Sequence, residues 1–176
     1  MTNTLERNRL FAEADGHVGV GIFPELRLLV VACLDPRVDP AHVLGLNLGD
    51  AMVIRNAGGR VTPEVIANIA FVSQLAERVV QEGPLFEVAV MHHTQCGAAS
   101  LANDDFRETY ATRIGVEQEE LVRYAVVDPA VSVACDVGLL RASQAISPRI
   151  TVSGHVYDVS SGLVETVIPA TLERSA

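Results

Sequence analysis

The segment LLVVACL, at residues 28–34, constrains the fold of this chain more than any other part of the sequence. It is an apolar run rich in β-branched side chains, and the turn-forming pair Asp35-Pro36 ends it. A short apolar run with no alternating polar positions is typical of a strand that is buried on both faces, as in parallel sheets. The run is also far too short to cross a bilayer. We therefore predict a buried strand here.

Predicted strands and helices alternate after this run. Residues 51–55 and 86–91 are predicted strands that end in polar turns. A helix is predicted from Thr62-Pro63 toward Gly83-Pro84, because its apolar residues recur at helical spacing: Val65, Ile66, Ile69, Val72, Leu75, Ala76 and Val79. Strands that alternate with helices predict an α/β fold.

Shorter segments complete the pattern. A short helix is predicted from Pro40 to Gly45, and an interrupted helical region at 98–125. Asp128-Pro129 opens another helix, with one apolar face formed by Val133, Ala134, Val137 and Leu140. Two extended runs, 150–159 and 163–168, end the chain. We predict a central, mostly parallel sheet flanked by helices, with a C-terminal antiparallel edge strand, in a single domain over residues 1–176 whose first 24 residues form an N-terminal arm or helix.

The composition excludes several classes of function. A net charge of -9 argues against binding to nucleic acid, which requires a basic face. The first residues are polar and lack the apolar segment of a secretory signal, so we expect a cytoplasmic protein that is not attached to a membrane. Three cysteines cannot pair evenly, and we interpret them as thiols.

Chemically reactive residues follow the predicted strands. Cys33, His93 and Cys96 lie at or just after the carboxyl ends of two of them, and these ends meet at one edge of a parallel sheet. Zinc prefers thiolate and imidazole ligands, and three protein ligands leave a fourth position for water. The spacing is equally compatible with two buried thiols and a hydrogen-bonded histidine.

Asp35 and Arg37 follow Cys33 at alternate positions, and would share its face if the strand geometry continued that far. A carboxylate beside a metal can accept a hydrogen bond from bound water, and an arginine can keep that carboxylate ionised through a forked contact. The same pair could also be an ordinary ion pair at the edge of the sheet. A helix beginning near Ala98 is expected to favour the thiolate form of Cys96.

Together these segments resemble the β-carbonic anhydrase family in order and spacing. The resemblance rests on Cys33-x-Asp35-x-Arg37, on the stretch from Gly49-Asp50 to Gly59, on His93-Thr94-Gln95-Cys96-Gly97, and on the final segment 154–162. It covers residues 25–168, and is strongest with the short bacterial and archaeal members. Two departures are the doubled His92-His93 and Pro36, which stiffens the loop between Asp35 and Arg37.

The resemblance implies a carbonic anhydrase (carbonate dehydratase, a lyase) that converts CO2 and bicarbonate. It implies one Zn2+ per chain bound by Cys33, His93 and Cys96, with Asp35 and Arg37 as the catalytic pair. In some members the aspartate moves onto the metal, so Asp35 is also a potential ligand. The turn Asn56, Ala57 and Gly58 would line the CO2 pocket.

The family also implies a homodimer or a dimer of dimers (a homotetramer). Its N-terminal helix packs on the neighbouring subunit, and here Leu5, Leu10, Phe11 and Ala14 are predicted to supply an apolar stripe for that contact.

Two other functions remain compatible with the same residues. One is hydrolysis of carbonyl sulfide or carbon disulfide at the same zinc site, which some relatives perform. The other is a non-catalytic zinc-binding regulatory module, although a closed structural site needs a fourth ligand.

The remaining histidines and the third cysteine are predicted to be structural. His92 should point away from the metal, and Cys135 is expected to be a small core residue. We expect His17, His42 and His155 to face solvent or to be satisfied by hydrogen bonds.

Overall fold

The computed structural model describes residues 1–172. In it, the apolar run at 28–34 forms the first strand of the chain, which lies second from one edge of a five-stranded sheet. The last four residues of the predicted domain, 173–176, lie outside the described residues. The strands are β1 Leu28–Cys33, β2 Ala51–Asn56, β3 Glu87–His93, β4 Thr151–Tyr157 and β5 Val164–Thr171. The helices are α1 Thr2–Glu13, α2 Pro40–Val43, α3 Pro63–Glu77, α4 Asp104–Ile114, α5 Gln118–Val122 and α6 Pro129–Ala142.

The strand order is β2-β1-β3-β4-β5. The first four strands run parallel, and β5 pairs antiparallel with β4. This confirms the predicted α/β class, with a mostly parallel sheet and an antiparallel strand at its C-terminal edge. The polar segments after β1, β2 and β3 therefore lie at one edge of the sheet.

The main core lies between one face of the sheet and helices α3 and α6. Its fully buried side chains include Leu29 and Val31 of β1, Ile69 of α3, and Val133 and Leu140 of α6. A second apolar cluster on the other face contains Val30, Val38, Met91, Val126 and Tyr157, and also Cys33 and Cys96. The metal-ligand candidates thus form part of a packed core.

Helix termini in this fold follow the expected local chemistry. The Thr62 hydroxyl accepts a hydrogen bond from the Val65 N–H and begins α3, and Asp128 accepts two backbone N–H bonds at the start of α6. The proline that follows each cap lacks the backbone N–H that would otherwise be unsatisfied there.

Three details differ from the sequence predictions. Helix α3 ends at Glu77 rather than near Gly83, so Val79 lies beyond it, and both Leu75 and Val79 are exposed. On α6, Cys135 and Ala134 are exposed, so the predictions that placed them in the core and on the buried face are wrong. The rotation of the helix turns Ser132 and Asp136 inward instead, because they bind other buried polar groups.

No helix within residues 1–172 is long and apolar enough to span a membrane.

Candidate metal centre

Two neighbouring parallel strands bring the candidate ligands together. Cys33 is the last residue of β1 and His93 is the last residue of β3, and these strands pair directly. Cys96 follows His93 after a tight turn in which Gln95 adopts a left-handed backbone conformation, with φ 57°. The convergence predicted from strand ends is therefore present.

The three ligand atoms form a compact, buried group. They all lie within 4.8 Å of one another, and the two sulfur atoms of Cys33 and Cys96 are 3.9 Å apart. His93 is only 1% exposed, and its Nδ1–H donates to the Thr94 carbonyl at 2.9 Å. Its Nε2 is buried without a hydrogen-bond partner among the described residues.

This donor set fits a zinc ion. A buried imidazole nitrogen without a partner is costly, and a metal would satisfy it. The Nδ1 hydrogen bond fixes the ring and leaves Nε2 as the ligand, which is the usual arrangement of a metal-bound histidine. The group contains three ligands, whereas a closed structural zinc site has four.

The two thiols affect each other's protonation strongly. A hydrogen bond from the Cys96 thiol lowers the pKa of Cys33 to about 4. The backbone N–H of Asp35 also donates to the Cys33 sulfur, at 3.5 Å. The nearby backbone of Gly58 lowers the pKa of Cys33 as well. The adjacent Cys33 thiolate, together with burial, raises the pKa of Cys96. Without a cation the pair therefore retains one proton, because two thiolates at this distance repel; a divalent metal removes that penalty.

The expected helix start near Cys96 is a short 3-10 turn over Gly97–Ala102. The backbone at Ala98 lowers the pKa of Cys96, in the predicted direction, although Cys33 and burial raise that pKa overall. This effect is smaller than that of the neighbouring Cys33, so it does not set the pKa of Cys96 on its own.

Asp35 and Arg37 form a forked ion pair beside the ligands. The Arg37 guanidinium donates to the Asp35 carboxylate at 2.6 and 3.0 Å, and the Arg37 backbone N–H donates at 2.9 Å. These contacts lower the pKa of Asp35 to about 2. The Asp35 carboxylate is paired with Arg37. It is not part of the candidate ligand group, which comprises only Cys33, His93 and Cys96 among the described residues. A role of Asp35 as a fourth ligand stays a prediction.

The route by which these two residues meet differs from the predicted one. Strand β1 ends at Cys33, and Asp35 caps a 3-10 turn over Pro36–Val38. Pro36 fixes the first position of that turn, so Asp35 and Arg37 meet across a turn and not along one face of a strand.

Sequence reasoning missed two residues that support the site. Gln95 accepts hydrogen bonds from Arg37 through its backbone carbonyl at 3.1 Å and its side-chain oxygen at 3.4 Å, which ties Arg37 to the turn between His93 and Cys96. Arg55, near the end of β2, donates to the carbonyls of Cys33 at 2.9 Å and Asp35 at 2.7 Å. The sequence feature that could have identified both residues is their location, because each lies at or just after the carboxyl end of a strand.

The turn after β2 lies directly against the ligand Cys33. The side chain of Asn56 closes this turn with two hydrogen bonds to the Arg60 backbone, both 2.8 Å. Gly58 and Gly59 have φ of +81° and +68°, a region that favours glycine. A Cβ on Gly59 would lie 2.9 Å from the Cys33 backbone nitrogen, so the turn packs on β1 at the ligand itself.

Behind the turn lies a buried polar network that the sequence did not reveal. Arg60 and Asp136 form a forked ion pair, with two contacts of 2.8 Å. His92 points into this network, toward Ser132 at 2.7 Å and Asp136 at 3.2 Å, which confirms that it faces away from the ligand group. No motif in the sequence indicated that Arg60 and Asp136, 76 positions apart, would pair.

The other histidines behave as expected. His17 and His42 are exposed, and His155 contacts the hydroxyls of Ser153 at 2.8 Å and Thr166 at 3.1 Å.

Known proteins resemble this chain over most of its length. A family model described as carbonic anhydrase matches residues 28–118. Beta-carbonic anhydrase 1 of Mycobacterium tuberculosis is 30% identical over 149 residues, which cover 83% of this chain and 85% of that protein. A carbon disulfide hydrolase of Acidithiobacillus thiooxidans is 26% identical over 165 residues, covering 81% and 78% of the two chains. Among solved structures, a carbonic anhydrase from Streptococcus mutans superposes with a TM-score of 0.78 and 34% identity, over 94% of this chain and 96% of that one.

Proposed function

This chain belongs to the β-carbonic anhydrase family, and from that membership we propose that it is a zinc enzyme that hydrates CO2 reversibly to bicarbonate. The observation that supports this most directly is the buried group of Cys33, His93 and Cys96, in which the His93 Nε2 has no partner among the described residues. These three side chains would hold one Zn2+ per chain. When bound, zinc acts as a Lewis acid that makes water nucleophilic near neutral pH.

The residues around the ligands supply orientation and charge. Because the pKa of Asp35 is lowered to about 2, its carboxylate is ionised at neutral pH and can only accept hydrogen bonds. We propose that it accepts one from the attacking water and so directs the oxygen lone pair toward the carbon of CO2. Arg37 holds that carboxylate in position through its forked contact.

The substrate pocket is proposed to lie along Asn56, Ala57 and Gly58. This turn packs beside Cys33, and the Asn56 amide is occupied in closing it. The pocket wall therefore presents mainly backbone and small side chains, which suits a small apolar molecule such as CO2.

A second candidate reaction is hydrolysis of carbonyl sulfide or carbon disulfide. It is favoured by the similarity to the carbon disulfide hydrolase of A. thiooxidans. All three substrates are small linear electrophiles, so the ligand chemistry alone does not discriminate among them. Pocket shape must do so, and an apolar pocket rejects a close analogue by only about 1–3 kcal/mol. We favour CO2 because, over a similar share of this chain, beta-carbonic anhydrase 1 matches at 30% identity and the carbon disulfide hydrolase of A. thiooxidans at 26%.

One zinc-loaded preparation can separate these reactions. CO2 hydration is measured by stopped flow across about pH 7 to 9, the range where zinc activates water. Sulfide release from carbonyl sulfide and carbon disulfide is measured on the same preparation. We expect CO2 hydration to dominate. Negligible hydration with rapid sulfide release would assign the second reaction, and inactivity toward all three substrates with bound zinc would favour a regulatory module.

We further propose a homodimer or dimer of dimers in the cytoplasm. Leu10 and Phe11 of α1 are 58% and 42% exposed, which leaves an apolar surface for a second copy. Leu5 does not share this surface, because at about 100° per residue it lies about 140° around the helix from Leu10. The cytoplasmic proposal rests on Cys33 and Cys96, which need a reducing compartment to remain thiols 3.9 Å apart.

A further inference from the structure

The ion pair between Arg60 and Asp136 is the most deeply buried arginine–carboxylate contact among the described residues. Arg60 is 6% exposed and Asp136 is 0% exposed. The contact is forked, because Nε and one terminal nitrogen of Arg60 each donate to a separate carboxylate oxygen at 2.8 Å. Such a pair fixes the relative orientation of its two groups as well as their distance.

The pair connects α6 to the turn beside the ligands. Asp136 projects from α6 and also accepts a hydrogen bond from the Val61 backbone N–H at 2.9 Å. The remaining terminal nitrogen of Arg60 donates to the Ala125 carbonyl at 2.9 Å. The Arg60 side chain is therefore held at two places distant in sequence, Asp136 and Ala125, and its backbone is held by the Asn56 side chain.

The other side of this turn touches the ligand Cys33. Gly59 lies so close to β1 that an added Cβ would be 2.9 Å from the backbone of Ala32 and Cys33. Gly58 is enclosed as well, because its own Cβ would lie 3.0 Å from Ala98 and 3.2 Å from Val126. A shift of the turn would thus disturb the backbone of β1 at Cys33.

We propose that Arg60 and Asp136 are positioning residues of the metal centre, which fix the Asn56–Gly59 turn so that Gly59 stays packed against the backbone of Cys33. This proposal rests on the zinc function proposed above. Neither residue is in the ligand group, and they act on it only through the turn.

General energetics distinguish this role from simple stabilisation. A buried ion pair loses the hydration of both charges, so replacement by apolar residues of similar size often leaves a fold equally stable. An apolar replacement cannot reproduce the hydrogen bond from Arg60 to the Ala125 carbonyl or the one from the Val61 N–H to Asp136. Groups that orient metal ligands in this way typically change metal affinity or activity by about 10–100-fold when they are removed.

The test uses Arg60→Lys, which keeps the charge but loses the fork, and Asp136→Asn, which keeps the shape but loses the charge. Arg149→Lys is the matched control, because Arg149 also donates to two backbone carbonyls, those of Gly83 and Val80, outside the ligand group. Zinc affinity is measured by competition with a chelator, and the thiolate-to-cobalt absorption band is recorded after substitution with Co2+. We expect zinc affinity to fall by about 10–100-fold and the band to shift in both network variants, with neither change in the control.

The double variant Arg60→Met/Asp136→Leu separates folding from positioning. We expect it to fold cooperatively, with some loss of stability from the unpaired Val61 N–H and Ala125 carbonyl, and to show the weakened zinc affinity and shifted cobalt band. Wild-type affinity and spectrum in the folded variants would overturn the proposal, and failure of all three variants to fold would assign the pair to folding alone and overturn it as well. Absence of CO2 hydration by the wild type would contradict the proposed reaction. It would not affect the test of the positioning role, because the zinc and cobalt measurements do not depend on turnover.

Discussion

At the scale of single residues, the site depends on groups whose protonation is set by near neighbours. Cys33 and Cys96 share one proton without a metal, and His93 presents an unpartnered nitrogen toward them. Asp35 is kept ionised by Arg37. Each of these properties can be tested by one substitution.

The ligand assignment predicts the metal content of three variants. Cys33→Ser and His93→Ala should each lose most of the bound zinc, because each removes one of only three protein ligands. Cys135→Ser is the matched control, since Cys135 is an exposed free thiol outside the ligand group. Metal content per chain is measured after purification and dialysis. Full zinc occupancy in both ligand variants would show that the ion is bound elsewhere.

The Asp35 carboxylate is predicted to affect turnover more than metal binding. Asp35→Asn should keep its zinc but lose CO2 hydration by about 100-fold or more, because an amide no longer acts only as an acceptor. Asp104→Asn is a suitable control, since Asp104 also pairs with an arginine, Arg107, but is 86% exposed and outside the ligand group. Wild-type turnover in Asp35→Asn would remove the aspartate from the mechanism.

The ion pair at Asp35 also predicts a direction for the pH dependence of stability. The folded-state pKa of Asp35 is about 2, below its ordinary value of 3.8. Its stabilising contribution is therefore present above the ordinary value and is lost as the pH falls toward 2. Denaturation of metal-free wild type and Asp35→Asn, compared from pH 7 downward, should show a stability difference that shrinks in acid. A difference that grew in acid would contradict the assignment.

At the scale of elements, the turn after β2 is the most constrained connection near the ligands. Gly59 combines a positive φ with close contact to the backbone of β1. Gly115, which ends α4, has a similar φ of +71° but no atom within 4 Å of an added Cβ. The two positions differ mainly in the space available, so comparing them isolates the effect of close packing.

Gly59→Ala should therefore be more harmful than Gly115→Ala. The left-handed conformation costs an alanine roughly 1–2 kcal/mol at either site, and Gly59→Ala must also displace the backbone at Cys33. We expect a larger loss of unfolding free energy and weaker zinc binding for Gly59→Ala, measured by chemical denaturation and chelator competition. Equal losses at the two positions, with unchanged zinc affinity, would argue against close packing of the turn on β1.

At the scale of the whole molecule, the N-terminal helix lies outside the core and exposes Leu10 and Phe11. If a second copy covers these side chains, Leu10→Asp/Phe11→Asp should lower the mass measured by light scattering at micromolar concentration. Leu5→Asp is the matched control, because Leu5 projects from a different side of α1. A monomeric wild type, or an unchanged mass in the double variant, would contradict the proposed assembly through α1.

The sequence by itself determined the elements and the ligand set. Strand β1 follows from a short run of apolar residues without polar alternation, and α3 follows from helical spacing that begins at a capped proline. The ligands Cys33, His93 and Cys96 could be predicted because parallel strands end at one edge of the sheet, and because few residue types bind zinc. These properties depend on local chemistry and on topology, which short motifs encode.

Only the tertiary structure decided the contacts between distant segments. The pairing of Arg60 with Asp136 depends on the rotation of α6 over the sheet, and the same rotation exposes Cys135 where the helical pattern had suggested burial. The contacts of Arg55 with Cys33 and of Arg37 with Gln95 likewise require the register between strands and the shape of two turns. A sequence pattern specifies which face of an element is apolar, whereas the partner of a buried charge is set by how elements pack in three dimensions.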